Sequence, residues 1–81
     1  MPYITPDVIE VRPLEEYKLY LKFEDGKEKI YDVKKMLENE CYKKLKDKQY
    51  FETVKACGIT VEWKDGEDIA PEDLYFNSID V

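Results

Sequence analysis

The residues best suited to chemistry are the carboxylates of one short stretch near the end of the sequence, WKDGEDIAPEDLYF (residues 63–76). Carboxylate oxygens are the protein ligands that Mg²⁺ prefers. Asp65, Asp68 and Glu72 could together supply such a site. One hypothesis is therefore a metal-binding domain or a carboxylate-based, metal-dependent enzyme.

The same stretch also has a structural explanation, which begins with a turn. Asp65-Gly66 is a typical turn pair, and it directly follows a strand pattern that ends at Trp63. Asp68 precedes a helix pattern and is expected to be a turn or cap acceptor. The oxygens of Asp65 and Asp68 would then satisfy nearby backbone N–H groups rather than a metal ion.

A short helix is predicted after this turn. Pro71 suits the first helical position, where a backbone N–H has no intrahelical partner. Glu72 and Asp73 would lie in the first turn, where negative charge complements the helix dipole. Leu74 would pack back on the sheet near Trp63. We favour this structural explanation over the metal site.

The residue types exclude most catalytic arrangements. The chain has no histidine, so Ser-His-Asp and Cys-His arrangements are impossible. Its two cysteines, Cys41 and Cys57, cannot make a four-ligand zinc site, and its three glycines lie too far apart for a phosphate-binding loop. Both thiols are expected to be reduced, with one or both partly buried. We predict no catalytic residue, no cofactor and no enzymatic activity.

The net charge of −6 is unevenly distributed. Residues 1–61 contain twelve acidic and twelve basic groups, whereas residues 62–81 contain seven acidic groups and one lysine. Such an acidic end would repel nucleic acid and attract a basic protein. No apolar run approaches the ~20 residues that span a bilayer, and no signal peptide is evident, so a cytoplasmic location without membrane binding is expected.

Five exposed side chains are candidates for a partner surface. Acidic groups near the chain end would meet a basic partner, and tyrosines on an open sheet face are frequent in interfaces. The candidates are Glu67, Glu72, Asp73, Tyr20 and Tyr31.

The first hairpin is predicted from strict alternation in YKLYLKFE (residues 17–24). Asp25-Gly26 is the preferred two-residue hairpin turn, and KEKIYD (residues 27–32) is predicted to be the returning strand. Counting across this turn places Leu21 opposite Ile30 on the apolar face. The same count stacks Tyr20 on Tyr31 on the other face.

Short helices and a second hairpin are predicted to follow. Asp32 is a suitable cap for a helix over VKKMLEN (residues 33–39), and Asp47 for a second short turn. In the second hairpin the turn would be Cys57-Gly58. Its inward-facing residues would be Val54, Ala56, Ile59, Val61 and Trp63.

These elements predict one α+β domain over residues 1–81. Its small, mainly antiparallel sheet would contain both hairpins and an N-terminal strand, DVIEVRP, with the short helices packed on one face. Leu21, Phe23, Val61 and Trp63 would share one core, covered by Leu74. Gly66 and Pro71 would have structural roles at the last turn and helix.

The order of motifs resembles the small bacterial proteins grouped as domain of unknown function 2442. The matching pieces are YKLYLKFEDGKEKIYDVKKML, LKDKQYF and ITVEWKDGEDIAPEDLY, within a range from about Val8 to Tyr75. The segment W-x-D-G-x-D-I-A-P-E-x-L-Y is the specific part. The resemblance implies a compact α+β domain without established catalytic residues. It also implies that domains of this family are partners of small proteins encoded nearby, in toxin–antitoxin pairs. Some domains of the family are fused to helix-turn-helix domains.

Together these observations predict a non-enzymatic protein-binding or regulatory, antitoxin-like module. Its expected partner is a small, basic protein encoded nearby, and self-association is the second expectation. Direct nucleic-acid binding is not expected, because this chain has no room for an additional DNA-binding domain.

Overall fold

A four-stranded antiparallel sheet is the main layer of the computed structural model, which describes residues 5–81. Its strands, in spatial order, are β1 (Val8–Leu14), β2 (Lys18–Phe23), β3 (Glu28–Asp32) and β6 (Ile79–Asp80). A separate two-stranded sheet is formed by β4 (Lys55–Cys57) and β5 (Thr60–Glu62). The predicted α+β class with antiparallel pairing is confirmed. The first four residues of the predicted domain lie outside the described residues.

The helices are short, and all but one 3-10 turn between β1 and β2 follow the first hairpin. The α-helices are α1 (Lys48–Phe51) and α2 (Pro71–Phe76), and the 3-10 turns are Glu15–Tyr17, Lys34–Met36 and Glu40–Lys46. Within residues 5–81, no helix has the length and apolar character needed to cross a membrane.

The cap predicted at Asp47 is present, but Asp32 is not a helix cap: Val33 precedes the turn Lys34–Met36, no side chain caps that end, and the helix is shorter than predicted. The Asp32 carboxylate accepts the Lys34 N–H at 2.9 Å, and the Asp47 carboxylate accepts the Gln49 N–H at 3.0 Å. Only the turn Lys34–Met36 forms within the predicted helix over 33–39. Short helices are marginal by themselves, so local packing decides their length.

The first hairpin has a three-residue turn, and its predicted register was wrong by one residue. The Phe23 N–H donates to the Lys27 carbonyl at 2.9 Å, which leaves three residues between them. Gly26 has a φ of 89°, as the last position of such a turn requires. The Asp25 carboxylate accepts the Lys27 N–H at 3.0 Å and fixes the turn.

This register change moves Tyr31 from the open face of the sheet to the core. A shift of one residue exchanges the two faces of a strand. Tyr31 now pairs with Leu19, and Tyr20 pairs with Ile30. Tyr31 is fully buried, whereas Tyr20 stays half-buried. The expected exposure of Tyr31 and its stacking on Tyr20 were therefore wrong.

Trp63 lies at the centre of the core. It is fully buried, as are the other predicted core residues Leu21, Phe23, Val61 and Leu74. Its indole Nε1–H donates to the Phe51 carbonyl at 2.9 Å, so burying this polar atom leaves no unsatisfied donor. The predicted core is confirmed.

The second hairpin covers the core with one strand only. Cys57 pairs with Thr60, so its turn is Gly58-Ile59 instead of the predicted Cys57-Gly58. All three residues of β4 are exposed, and so is Ile59. The predicted inward positions of Ala56 and Ile59 were wrong, because Ala56 lies in the exposed outer strand β4 and Ile59 lies in the turn.

The thiols also differ from expectation. Cys41 and Cys57 are both free and exposed, so the expected partial burial of one or both was wrong. Cys57 is exposed because it lies in the outer strand β4, next to the Gly58-Ile59 turn.

We expect Trp63→Ala to lower the free energy of unfolding by about 3–5 kcal/mol, the range for removing a buried aromatic side chain. It also removes the donor that reaches the Phe51 carbonyl. Urea unfolding followed by circular dichroism measures the loss. Lys64→Ala, at the exposed neighbouring position, is the control and should stay within roughly 0.5 kcal/mol of the parent protein. An equal effect of both changes would contradict the central position of Trp63.

Candidate functional site

The acidic stretch begins with the predicted turn after Trp63. The Trp63 N–H donates to the Glu67 carbonyl at 2.8 Å, and the Gly66 N–H donates to the Trp63 carbonyl at 2.9 Å. Gly66 has a φ of 100°, a conformation that side-chain-bearing residues rarely adopt. The turn Asp65-Gly66 is therefore confirmed, and Gly66 is required there by its backbone.

Asp65 forms an ion pair instead of the expected backbone bond. Its carboxylate lies 2.8 Å from Lys44 Nζ, in the turn Glu40–Lys46. The hydrogen bond from Lys44 and its positive charge lower the pKa of Asp65 below the ordinary 3.8. Asp65 therefore connects the acidic stretch to the basic turn Glu40–Lys46.

Glu67 accepts a hydrogen bond from a tyrosine on α1. The Tyr50 hydroxyl donates to the Glu67 carboxylate and accepts the Asp65 N–H at 2.9 Å. Partial burial, and then the bond to Glu67, raise the pKa of Tyr50. Glu67, predicted as a partner-surface residue, is half-buried and holds the turn against α1.

Asp73 has a similar role at the start of α2. Its carboxylate accepts the Tyr31 hydroxyl at 2.9 Å and the Asn77 side-chain amide at 2.6 Å. Burial, followed by the hydrogen bond to Asp73, raises the pKa of Tyr31. The two predicted surface residues Tyr31 and Asp73 thus join β3 to α2.

Asp68 does not cap the helix, which corrects the prediction. The residue that precedes α2 is Ala70, and no side chain caps this helix end. The backbone carbonyl of Asp68, not its carboxylate, accepts the Tyr42 hydroxyl at 2.9 Å. The carboxylate itself is exposed, while the Asp68 backbone pairs with Glu62 in an isolated antiparallel bridge.

Pro71 begins α2, and Glu72 and Asp73 lie in its first turn, as predicted. Glu72 differs from Asp73 in its surroundings. Within residues 5–81 the carboxylates of Glu72 and Asp68 form no hydrogen bond or ion pair. These two groups leave their charge available on the surface.

The metal hypothesis required Asp65, Asp68 and Glu72 to converge. In the part of the chain that the structure describes, no group of three or more His, Cys, Asp or Glu side chains could hold a metal ion. Asp65 lies against Lys44 instead, and no cofactor ligand set is assigned.

A second bonded cluster, absent from the sequence prediction, fixes β6. Lys29 is buried, forms an ion pair with Asp80 at 2.9 Å, and lies 4.8 Å from the centre of the Tyr75 ring. The Tyr75 hydroxyl donates to the Asp25 carboxylate at 2.6 Å. This bond raises the pKa of Tyr75 to about 12 and lowers that of Asp25. The residues paired here lie far apart in the sequence, so no periodic pattern of residues could have predicted these contacts.

Tyr20 retains an open position. Its hydroxyl donates to Glu28 at 2.5 Å, and the Arg12 guanidinium lies 5.2 Å from the ring centre. Half-buried on the outer face of the sheet, it is accessible to a partner, as the sequence predicted.

Exposed apolar side chains concentrate at the end of the chain, next to the acidic stretch. Phe76 is 55% exposed, Ile79 74% and Val81 77%. Phe76 lies one helical turn after Glu72 and therefore on the same face of α2. Glu72, Phe76, Ile79 and Val81 are hereafter the C-terminal surface. Its apolar members were not predicted from the sequence.

Comparison with known proteins supplies one match. A family model described as "Protein of unknown function (DUF2442)" matches residues 8–80, nearly the whole chain. No match was found among curated proteins or among solved structures.

We expect Tyr31→Phe to cost about 1–3 kcal/mol of unfolding free energy, because a half-buried carboxylate loses a hydrogen-bond donor. Tyr20→Phe is the matched control, since it also removes a tyrosine-to-carboxylate bond but in an exposed setting. Its effect should stay within roughly 0.5 kcal/mol. Urea unfolding measures both changes, and equal losses would show that Asp73 does not depend on Tyr31.

We also expect the Asp65 carboxyl to titrate below 3.8, because its charged form is favoured by Lys44. A depressed pKa means that the stabilising contribution is present above 3.8 and is lost as the pH falls through the lower folded value. Carboxyl ¹³C NMR follows the titration residue by residue. Lys44→Gln should raise the Asp65 pKa toward 3.8, whereas Lys43→Gln, the control, should not. An unchanged Asp65 titration in Lys44→Gln would contradict the ion pair.

Proposed function

This chain belongs to the DUF2442 family, and we propose that it is a non-enzymatic, antitoxin-like or regulatory module that binds a small basic protein in the bacterial cytoplasm. The C-terminal surface is the proposed docking site. Tyr20, on the outer face of the main sheet, is a further candidate contact.

The observation that carries this proposal is the concentration of exposed apolar side chains at the chain end. Among the described residues, large apolar side chains are exposed at six positions, and three of these are Phe76, Ile79 and Val81. Single exposed apolar residues are common, but grouped ones usually mark an interaction site. Three within six residues therefore favour a protein contact.

The charge around these side chains favours a basic partner. Residues 62–81 carry the whole net charge of −6. Asp65, Glu67 and Asp73 already have donors, whereas Glu72 and Asp68 have none within residues 5–81. Their unbalanced charge would accelerate encounter with a positively charged protein and would be screened by salt.

The pKa shifts support a role other than catalysis. General bases work best with a pKa near the operating pH. The carboxyl groups with shifted values, Asp25, Asp65 and Asp80, are all shifted downward, away from neutrality. Each acquires this shift from a tyrosine or lysine donor, so these carboxylates serve as hydrogen-bond acceptors.

The test uses purified chain and the purified product of the gene beside its own. We expect saturable binding whose association slows with added salt. Glu72→Lys should lower the association rate several-fold, because it reverses a charge at the docking site. Ile79→Ala should weaken binding by roughly fivefold or more if Ile79 is a central contact.

Glu38→Lys is the matched control for charge reversal, since Glu38 is exposed and lies outside the C-terminal surface. It should bind nearly as well as the parent chain. Surface plasmon resonance measures the rates. Absence of binding, or equal loss in Glu38→Lys and Glu72→Lys, would contradict the proposal.

A further inference from the structure

A small cavity lies where β1 passes into β2, away from the acidic stretch in sequence. Its volume is about 100 Å³. Leu14, Glu16, Tyr17, Lys48, Phe51 and Glu52 line it. None of these residues was singled out as a functional candidate by the sequence.

The wall of the cavity is formed by an unusual backbone. Glu16 and Tyr17 are consecutive non-glycine residues with positive φ, at 60° and 58°. Such conformations cost energy and persist where the surroundings impose them. Here the Tyr17 carbonyl accepts the Val33 N–H at 2.9 Å, and its hydroxyl donates to the Lys46 carbonyl.

Two aromatic residues that line the cavity, Tyr17 and Phe51, are in contact with the core. The Tyr17 ring packs edge-on against Phe51, with 5.3 Å between ring centres, and Phe51 packs on Trp63 at 6.1 Å. The core therefore holds these two lining residues in place. A cavity lined by residues that are already held needs little rearrangement to bind, which lowers the cost of binding.

The volume limits what the cavity can hold. Sites for cofactors and drug-sized molecules typically enclose about 300–1,000 Å³. A cavity of about 100 Å³ is far below this range and accommodates part of one amino-acid side chain. This size is too small for a whole cofactor and suits a single side chain of a partner protein.

The residues that line the cavity determine which kind of partner side chain can bind there. Leu14, Tyr17 and Phe51 supply apolar surface, while Glu16 and Glu52 supply two carboxylates. Within the described chain neither carboxylate forms an ion pair or side-chain hydrogen bond. Lys48 offsets one negative charge, so the lining keeps a net charge of −1.

An apolar stem with a terminal positive charge fits both parts of this lining. Lysine and arginine bury their methylene stems on apolar surface while the charged group remains at the edge. We propose that this cavity receives a single lysine or arginine side chain of the partner protein, with its stem on Tyr17 and Phe51 and its charge at Glu16 and Glu52. The inference rests on the proposed function for the source of that side chain.

The cavity is tested with small probes, independently of any protein partner. The probes are n-butylguanidinium and n-butylammonium, with 1-butanol and butyrate as neutral and anionic controls. Amide NMR of the ¹⁵N-labelled chain should show saturable shifts at Leu14, Tyr17 and Glu52 with both cations. The shifts should be weaker with 1-butanol and absent with butyrate.

Variants then separate charge from shape. Glu16→Gln and Glu52→Gln should each weaken cation binding by roughly two- to fivefold, the range for an exposed ion pair. Glu38→Gln, outside the cavity, should leave it unchanged. Because each Gln variant keeps the size of the side chain, a folded protein is expected, and its amide spectrum verifies this.

The outcomes distinguish the cavity from the proposed function. No saturable shift, shifts located elsewhere, or equal binding of butyrate would overturn the cavity proposal. Cation-selective binding that does not weaken in Glu16→Gln and Glu52→Gln would also overturn it. If the probes bind as expected but the neighbour-encoded protein does not, the cavity assignment stands and the proposed function fails.

Discussion

Donors from the middle of the chain hold its acidic end in place. Four carboxylates between residues 62 and 81 receive a hydrogen bond or an ion pair from residues 29–50. The pairs are Tyr31–Asp73, Lys44–Asp65, Tyr50–Glu67 and Lys29–Asp80. Because a carboxylate that leaves water without a donor is costly, the packing of this segment depends on the two half-buried carboxylates, those of Glu67 and Asp73. The exposed pair at Asp65 contributes little, whereas the half-buried carboxylates of Glu67 and Asp73 contribute more.

Local features of the fold were predictable, because neighbouring residues determine them. Alternation predicted β2 and β3, and the cap at Asp47 and the turn at Gly66 followed from residue type. The hairpin register was predicted wrongly, since Asp25-Gly26, the preferred two-residue turn, also fits a three-residue turn with Gly26 at its last position. That single ambiguity decided whether Tyr31 was exposed or buried.

The candidate site depended on contacts that sequence patterns do not encode. Tyr31 and Asp73 are 42 residues apart, and β6 has only two residues, so neither gave a periodic signal. Glu67, Asp73 and Tyr31, predicted for a partner surface, form internal hydrogen bonds that the sequence did not indicate, and Tyr31 is buried. Glu72 and Tyr20 remain accessible, as predicted, because neither side chain is the hydrogen-bond partner of a buried residue in the described part of the chain.

Some carboxylates of the acidic end accept internal hydrogen bonds, whereas others are exposed and accept none within residues 5–81. This difference is tested most directly at Asp73 and Glu72, adjacent residues in the first turn of α2. The measurement is the unfolding free energy of Asp73→Ala and of Glu72→Ala in urea. Asp73→Ala should lose about 1–3 kcal/mol, since it leaves the buried Tyr31 hydroxyl without its carboxylate. Glu72→Ala should change by less than roughly 0.5 kcal/mol. Equal losses at the two positions would contradict this account.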